Sequence, residues 1–144
     1  MDTLGLFRRY RDDVFRLAVN YTGSCREAEA VSQAVFLAAA ENLPLPGKEW
    51  DYLMEQTAAR CRSLHHFPWR RTSAEDEADS QPQDAWQIVM NLPARYRVVL
   101  YLRYYEDCTT EEIARFLKIS QSAAAAWLSR GRALLERHQR KYCA

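Results

Sequence analysis

Thirteen consecutive residues, TSAEDEADSQPQD at 72–84, contain no Val, Ile, Leu or aromatic side chain. A segment with nothing to bury cannot recover the conformational entropy lost on ordering. It is also longer than the connections usual inside a compact domain, which weighs against the alternative of an acidic surface loop within one fold. The chain is therefore read as two units, residues 1–67 and 85–144, joined by a flexible acidic linker at 68–84. Each unit has to close its own core.

Helical periodicity dominates the first unit. Phe7, Tyr10, Val14, Leu17 and Tyr21 recur three or four residues apart, one apolar stripe of an amphipathic helix. Thr22-Gly23 ends it, because glycine tolerates the left-handed conformation of a helix C-terminus. SCRE at 24–27 has the Ser-x-x-Glu capping-box spacing, and Ala28, Val31, Val35 and Ala38/Ala39 continue as a second stripe. NLPLPG at 42–47 breaks that helix. A third stripe runs through Trp50, Leu53, Thr57, Cys61 and Leu64.

The second unit starts with a short helix around Trp86–Met90. Pro93 then suits a first helical turn, and Tyr96, Val99/Leu100 and Arg103/Tyr104 repeat at helical spacing. TTEE at 109–112 offers a second capping box and opens EEIARFLK. A tight break at Ile119-Ser120 leads into a long helix from Gln121 to about Tyr142. Short helix, tight turn and longer basic helix are the outline of a helix-turn-helix. No strand signal competes, so the fold class is all-α, an N-terminal helical bundle and a C-terminal helix-turn-helix domain.

Composition narrows the function classes. With 48% hydrophobic and 27% charged residues the chain is globular rather than disordered. No apolar run approaches the roughly 20 residues that span a bilayer, and the N-terminus lacks a signal-peptide core, so a cytoplasmic location without membrane insertion is expected. The four cysteines, at 25, 61, 108 and 143, form no CxxC pair. Cys61, His65 and His66 cluster locally but lack a fourth ligand at a recognisable spacing. Reduced thiols are the simpler account, and no metal or cofactor is expected. Neither a nucleophile–base grouping nor a phosphate loop appears. Glu111-Glu112 is explained by helix capping, so no catalytic residue is assigned and the chain is not read as an enzyme.

Charge is uneven. Residues 1–67 hold 8 Lys/Arg against 9 Asp/Glu, whereas residues 85–144 hold 10 against 5, and the net formal charge is only +1. The C-terminal unit suits a phosphate backbone, but the whole chain is not drawn to DNA strongly by its net charge.

Two sets of motifs converge on one family. Leu92-Pro93, Tyr96-Arg97, Leu102-Arg103-Tyr104, Glu112-Ile113-Ala114, Ile119-Ser120 and Arg130/Arg132 follow one another in the second unit. In the first, VFRLAVNYTGSCREAEAVSQAVFLAA (14–39) carries Arg-Leu-Ala, Thr-Gly, Glu-Ala-Glu and a Gln-x-Val-Phe. Together these resemble extracytoplasmic-function RNA polymerase sigma factors over nearly the whole length. The first unit is similar to sigma region 2, and the second to region 4.

The resemblance implies partners and sites. Glu27, Glu29, Gln33 and Phe36, on the helix between Ser24 and Asn42, would dock on a coiled coil of the largest subunit of core RNA polymerase. The third helix, with Arg60 and Arg62, would meet the downstream element of promoter DNA. There Arg60, Arg62, His65, His66, Trp69, Arg70 and Arg71 make a basic-aromatic run suited to single strands. Ser120, Gln121, Ser122, Ala125, Ala126, Trp127, Arg130 and Arg132 would meet the upstream element in the major groove. An anti-sigma factor is a further partner of such proteins. Each of these positions also has a plainer reading, as a solvated helix face or part of a core.

Departures from the pattern leave two functional readings. Ala30 and Ala34 stand where the family carries acidic residues, and Lys118 where the turn has glycine. The family's Asn and Asp of the third helix have no clear equivalents. Ala123–Ala126 offers at most a contact to a thymine methyl and no donor for guanine. One reading is a sigma factor directing core polymerase to promoters, with DNA bound through both domains. The other is a degenerate sigma-like interaction protein that binds polymerase or a regulator without sequence-specific DNA recognition.

Overall fold

The computed structural model describes residues 2–64 and 85–143. The acidic segment at 68–84 lies outside them, as do His65, His66, Trp69, Arg70 and Arg71 of the basic-aromatic run. The described residues form seven α-helices and no strand. The chain falls into two compact units, Met1–His66 and Phe67–Ala144.

In the first unit α1 (Thr3–Thr22), α2 (Cys25–Glu41) and α3 (Glu49–Leu64) pack pairwise around one core. Local chemistry sets the helix ends. Asp2 caps α1 by accepting the Gly5 N–H at 2.8 Å. Gly23, at φ 75°, turns left-handed and donates its N–H to Val19 O. Ser24 Oγ then accepts the Glu27 N–H at 3.2 Å. The Ser24 N–H donates to Thr22 Oγ1 at 3.2 Å, so the Ser24 half of the expected capping box forms and the reciprocal donor is taken by the preceding turn.

The core joins Leu6, Val14, Leu17 and Tyr21 of α1 to Ala28, Val31, Val35 and Ala39 of α2 and to Leu53, Met54, Ala58 and Cys61 of α3. Two stripe positions depart from expectation. Phe7 is 41% exposed, because Leu6 takes the core position and Phe7 is rotated toward α2. Leu64 is 57% exposed at the last turn of α3.

The second unit consists of α4 (Ala85–Met90), α5 (Ala94–Tyr104), α6 (Thr110–Leu117) and α7 (Gln121–Cys143). The first three all contact α7. Pro93 stands one residue outside α5, as its N-cap rather than in its first turn. Arg97 turns back from α5 and donates to Leu92 O at 3.0 Å and Met90 O at 3.2 Å, closing the α4–α5 connection. Burial pulls its pKa down to about 10, which leaves the guanidinium charged at neutral pH. Arg103 and Tyr104, expected to continue the α5 stripe, are exposed. Leu102 is the residue buried there.

The capping box at Thr109 is complete: its Oγ1 accepts the Glu112 N–H at 3.1 Å, and Glu112 Oε1 accepts the Thr109 N–H at 3.0 Å. α6 ends at Lys118, which is left-handed at φ 59°, ψ 47°. A residue with a Cβ pays about 1–2 kcal/mol for that conformation, which glycine adopts freely. Lys118→Gly is therefore expected to stabilise the second unit by about 1 kcal/mol. Amide hydrogen exchange along α6 should slow roughly fivefold, and unchanged or faster exchange would show that the turn carries no such strain.

Candidate nucleic-acid interface and partner-docking face

Ala124, Leu128 and Gly131 of α7 are buried. Their spacing of four and three residues marks one seam along the helix. At Gly131 the seam is tight: a Cβ there would lie 3.2 Å from Leu100 Cγ and 3.4 Å from Tyr96 Cβ of α5. Each helical residue advances by about 100°, so Arg130 and Arg132, both exposed, project to opposite flanks of the seam. The outer face between them carries Ser122, Ala125, Ala126 and Ser129, all exposed.

The four alanines consequently do different things. Ala124 is a core residue at 0% exposure, Ala123 is half-buried, and only Ala125 and Ala126 belong to the outer face. Trp127 is half-buried beside the seam. Ser120 Oγ accepts the Ala123 N–H at 3.0 Å, so this hydroxyl caps α7, while Gln121 and Ser122 point outward from its first turn.

The flank carrying Arg132 opens on a cleft of about 140 Å³, lined also by Arg103, Tyr104, Thr110, Ala125 and Leu128. Arg103 is held there by donation from Nη1 to Cys108 O at 3.2 Å. Two guanidinium groups from different helices thus converge beside a hydroxyl. Sequence reading missed Arg103 and Thr110 as members of this group. The local signals are the exposure of Arg103 next to the buried Leu102 and the place of the half-buried Thr110 beside the Thr109 cap.

In the first unit Glu29, Gln33 and Phe36 of α2 line one groove of about 310 Å³ against α1. Glu27 does not join them. Lying two residues from Glu29, it is turned toward α3, close enough for its charge to act on Cys61. Arg60 and Arg62 straddle the buried Cys61 as Arg130 and Arg132 straddle Gly131, and both are half-buried. Arg60 Nε is covered and has no partner among the described residues. Arg62 faces Tyr21, whose hydroxyl pKa is raised by burial and partly offset by that guanidinium.

Residues 83–135, from just before α4 into α7, match the family described as "Sigma-70, region 4". The extracytoplasmic-function RNA polymerase sigma factor SigW of Bacillus subtilis is 23% identical over 165 residues, spanning 91% of this chain and 85% of SigW. The chain thus carries a sigma-70 region 4 domain at 83–135 and is similar over most of its length to an extracytoplasmic-function sigma factor. It is a transcription factor rather than an enzyme, and α6, the turn at 118–120 and α7 are its DNA-binding helix-turn-helix. Among the described residues no helix is long and apolar enough to cross a membrane.

Cys61 packs in the core of the first unit. It is fully buried, and burial, with the Glu27 charge adding to it, pushes the thiol pKa up to about 12. A reactive cysteine has to ionise, and at neutral pH this thiol stays protonated. Alkylation of the native chain at about pH 8 is expected to modify the exposed Cys25 and spare Cys61 and Cys108 until denaturant is added. Peptide mapping that found Cys61 modified as fast as Cys25 would contradict this placement.

Proposed function

We propose that this chain is a promoter-selecting subunit that docks on core RNA polymerase and contacts promoter DNA with both helical units. The observation that carries the reading is the divergence of Arg130 and Arg132 around the outer face of α7, in a region that matches sigma region 4. A helix lying in the major groove has phosphates on both sides. Arg130 would meet one wall, and Arg132, with Arg103 and Thr110, the other. Such contacts fix orientation and register without reading sequence. The small outer face permits close approach of the helix to the base edges. Base discrimination then falls to Gln121, Ser122, Trp127, the methyls of Ala125 and Ala126, and DNA shape.

The likeness to SigW over most of both chains supports assigning polymerase docking to the first unit. Glu29, Gln33 and Phe36 form its contact surface on α2, with Glu27 contributing charge from the flank. Arg60 and Arg62 at the end of α3 stand where the downstream element would lie. A second reading, a sigma-like interaction protein, is favoured by one observation: neither Ala125 nor Ala126 presents a group that hydrogen-bonds a base.

Two measurements separate the readings. Arg130→Ala and Arg132→Ala should each weaken DNA binding by a similar factor on promoter and scrambled duplexes. Each should also reduce the slope of log affinity against log salt by about one. Ala125→Lys, which adds a cation to the outer face at little cost to the helix, should raise affinity. If all three bind like the parent chain, α7 does not enter DNA and the interaction-protein reading leads. For docking, Glu29→Lys should weaken core-polymerase binding, most strongly at low salt, with helical circular dichroism and Tm unchanged. A parallel loss of folding would make Glu29 a structural residue instead.

A further inference from the structure

The turn between α6 and α7 is held in a conformation that its own residue does not favour. Lys118 sits at φ 59°, ψ 47°, a left-handed geometry that crowds a Cβ. Its neighbours fix it there. The Lys118 N–H donates to Ala114 O, and the Ile119 N–H donates to the same carbonyl at 3.0 Å. Two residues on, Ser120 caps α7, so the backbone is tied on both sides. The side chain, by contrast, is exposed. Among the described residues no acceptor or carboxylate holds its ammonium. Glu112 is engaged in the Thr109 cap, and Glu111, on the same face of α6, lies seven residues back, about 10 Å along the axis. A cation gains from the dipole at a helix C-terminus, but Arg115, its guanidinium over the Phe116 ring at 5.0 Å, already supplies one in the last turn. Neither capping nor packing of α6 therefore calls for a lysine at 118.

We infer that Lys118 is a phosphate-contacting residue, a cation that meets the DNA backbone beside the N-terminal end of α7. The inference rests on the proposed seating of α7 in the major groove and adds a contact to it. Two extended residues span at most about 7 Å, so Lys118 Cα lies within that distance of Ser120, where α7 would enter the groove. The major groove is about 12 Å wide, and a helix with its side chains is about as thick. Phosphates consequently flank the end of a helix seated there. The long flexible stem of lysine carries a point charge to them without demanding a fixed geometry. Arg130 and Arg132 cannot serve that end, since Arg130 is already about 15 Å farther along the helix than Ser120. Ser120, Gln121 and Ser122 carry no charge, and Lys118 supplies it. Strained backbone of this kind persists at functional positions, and here the gain is affinity for DNA.

Substitutions at 118 separate charge from conformation. The full chain is titrated with a random-sequence duplex of about 20 base pairs, two helical turns, at about 0.05 and 0.2 M salt. Such a duplex suffices because phosphate contacts carry no sequence information. Lys118→Gly and Lys118→Asn both suit the left-handed turn and remove the cation. Each is expected to weaken binding about fivefold at the lower salt. Each should also reduce the slope of log affinity against log salt by about one, with Tm at or above that of the parent. Lys118→Arg should bind like the parent. A stability gain joined to an affinity loss is a pair of effects that a merely structural lysine does not produce. Parent-like binding by Lys118→Gly and Lys118→Asn, while Arg132→Ala still weakens it, would overturn the inference and leave α7 on DNA. Parent-like binding by Arg132→Ala as well would overturn both. Equal losses in Lys118→Arg and Lys118→Gly would make the effect conformational and refute the inference. Unchanged DNA binding by Lys118→Gly with weakened binding to core polymerase would give the cation to a protein partner and refute it too.

Discussion

Burying Ala124, Leu128 and Gly131 of α7, with Gly131 against α5, decides which way every other side chain of that helix faces. The approach is close enough that a methyl at 131 would press on Leu100. Glycine there weakens the helix locally by about 1 kcal/mol relative to alanine, and in return the two backbones come together. Once residue 131 is turned inward, its neighbours have to diverge. Arg130 and Arg132 become two flanking cations, and the residues opposite the seam become the leading face. The outer face proposed to meet DNA thus follows from a packing contact on the far side of the helix.

The same geometry recurs at the end of α3, where Arg60 and Arg62 enclose the buried Cys61. Here the arginines are half-buried, and Arg62 is engaged with Tyr21. An Arg-x-Arg triplet on a helix is therefore two sites rather than one patch, and what each arginine meets depends on its neighbouring helix. Glu27 and Glu29 separate for the same reason, one toward Cys61 and one toward the groove on α1. Charges adjacent in sequence end on different surfaces, so the local net charge of a motif says little about the field a partner meets.

Features set by local chemistry were legible in the sequence. Gly23, the Thr109–Glu112 box and the break at Ile119-Ser120 sit where pattern placed them, because caps and turns involve residues a few positions apart. The choice between Leu6 and Phe7 was not legible. Both lie on the apolar arc of α1, and contact with α2 decides between them. Ala123–Ala126 do not form one surface, since Ala124 is buried in the core. The two clefts were out of reach for a further reason. Arg103 and Thr110 meet Arg132, and Phe7 and Phe15 meet Glu29 and Gln33, only through packing of separate helices. The likeness to sigma factors is unaffected by these positions, because it rests on the order of motifs across both units.

The central claim is that the chain confers promoter choice on polymerase, and transcription reconstituted with core polymerase tests it most directly. The chain is added to core enzyme on a library of genomic fragments, and the 5′ ends of the transcripts are sequenced. The account predicts initiation at a small set of positions sharing upstream and downstream elements, dependent on the chain and lost with Arg130→Ala/Arg132→Ala. Stable binding to core polymerase with no start sites beyond those of core alone would contradict it.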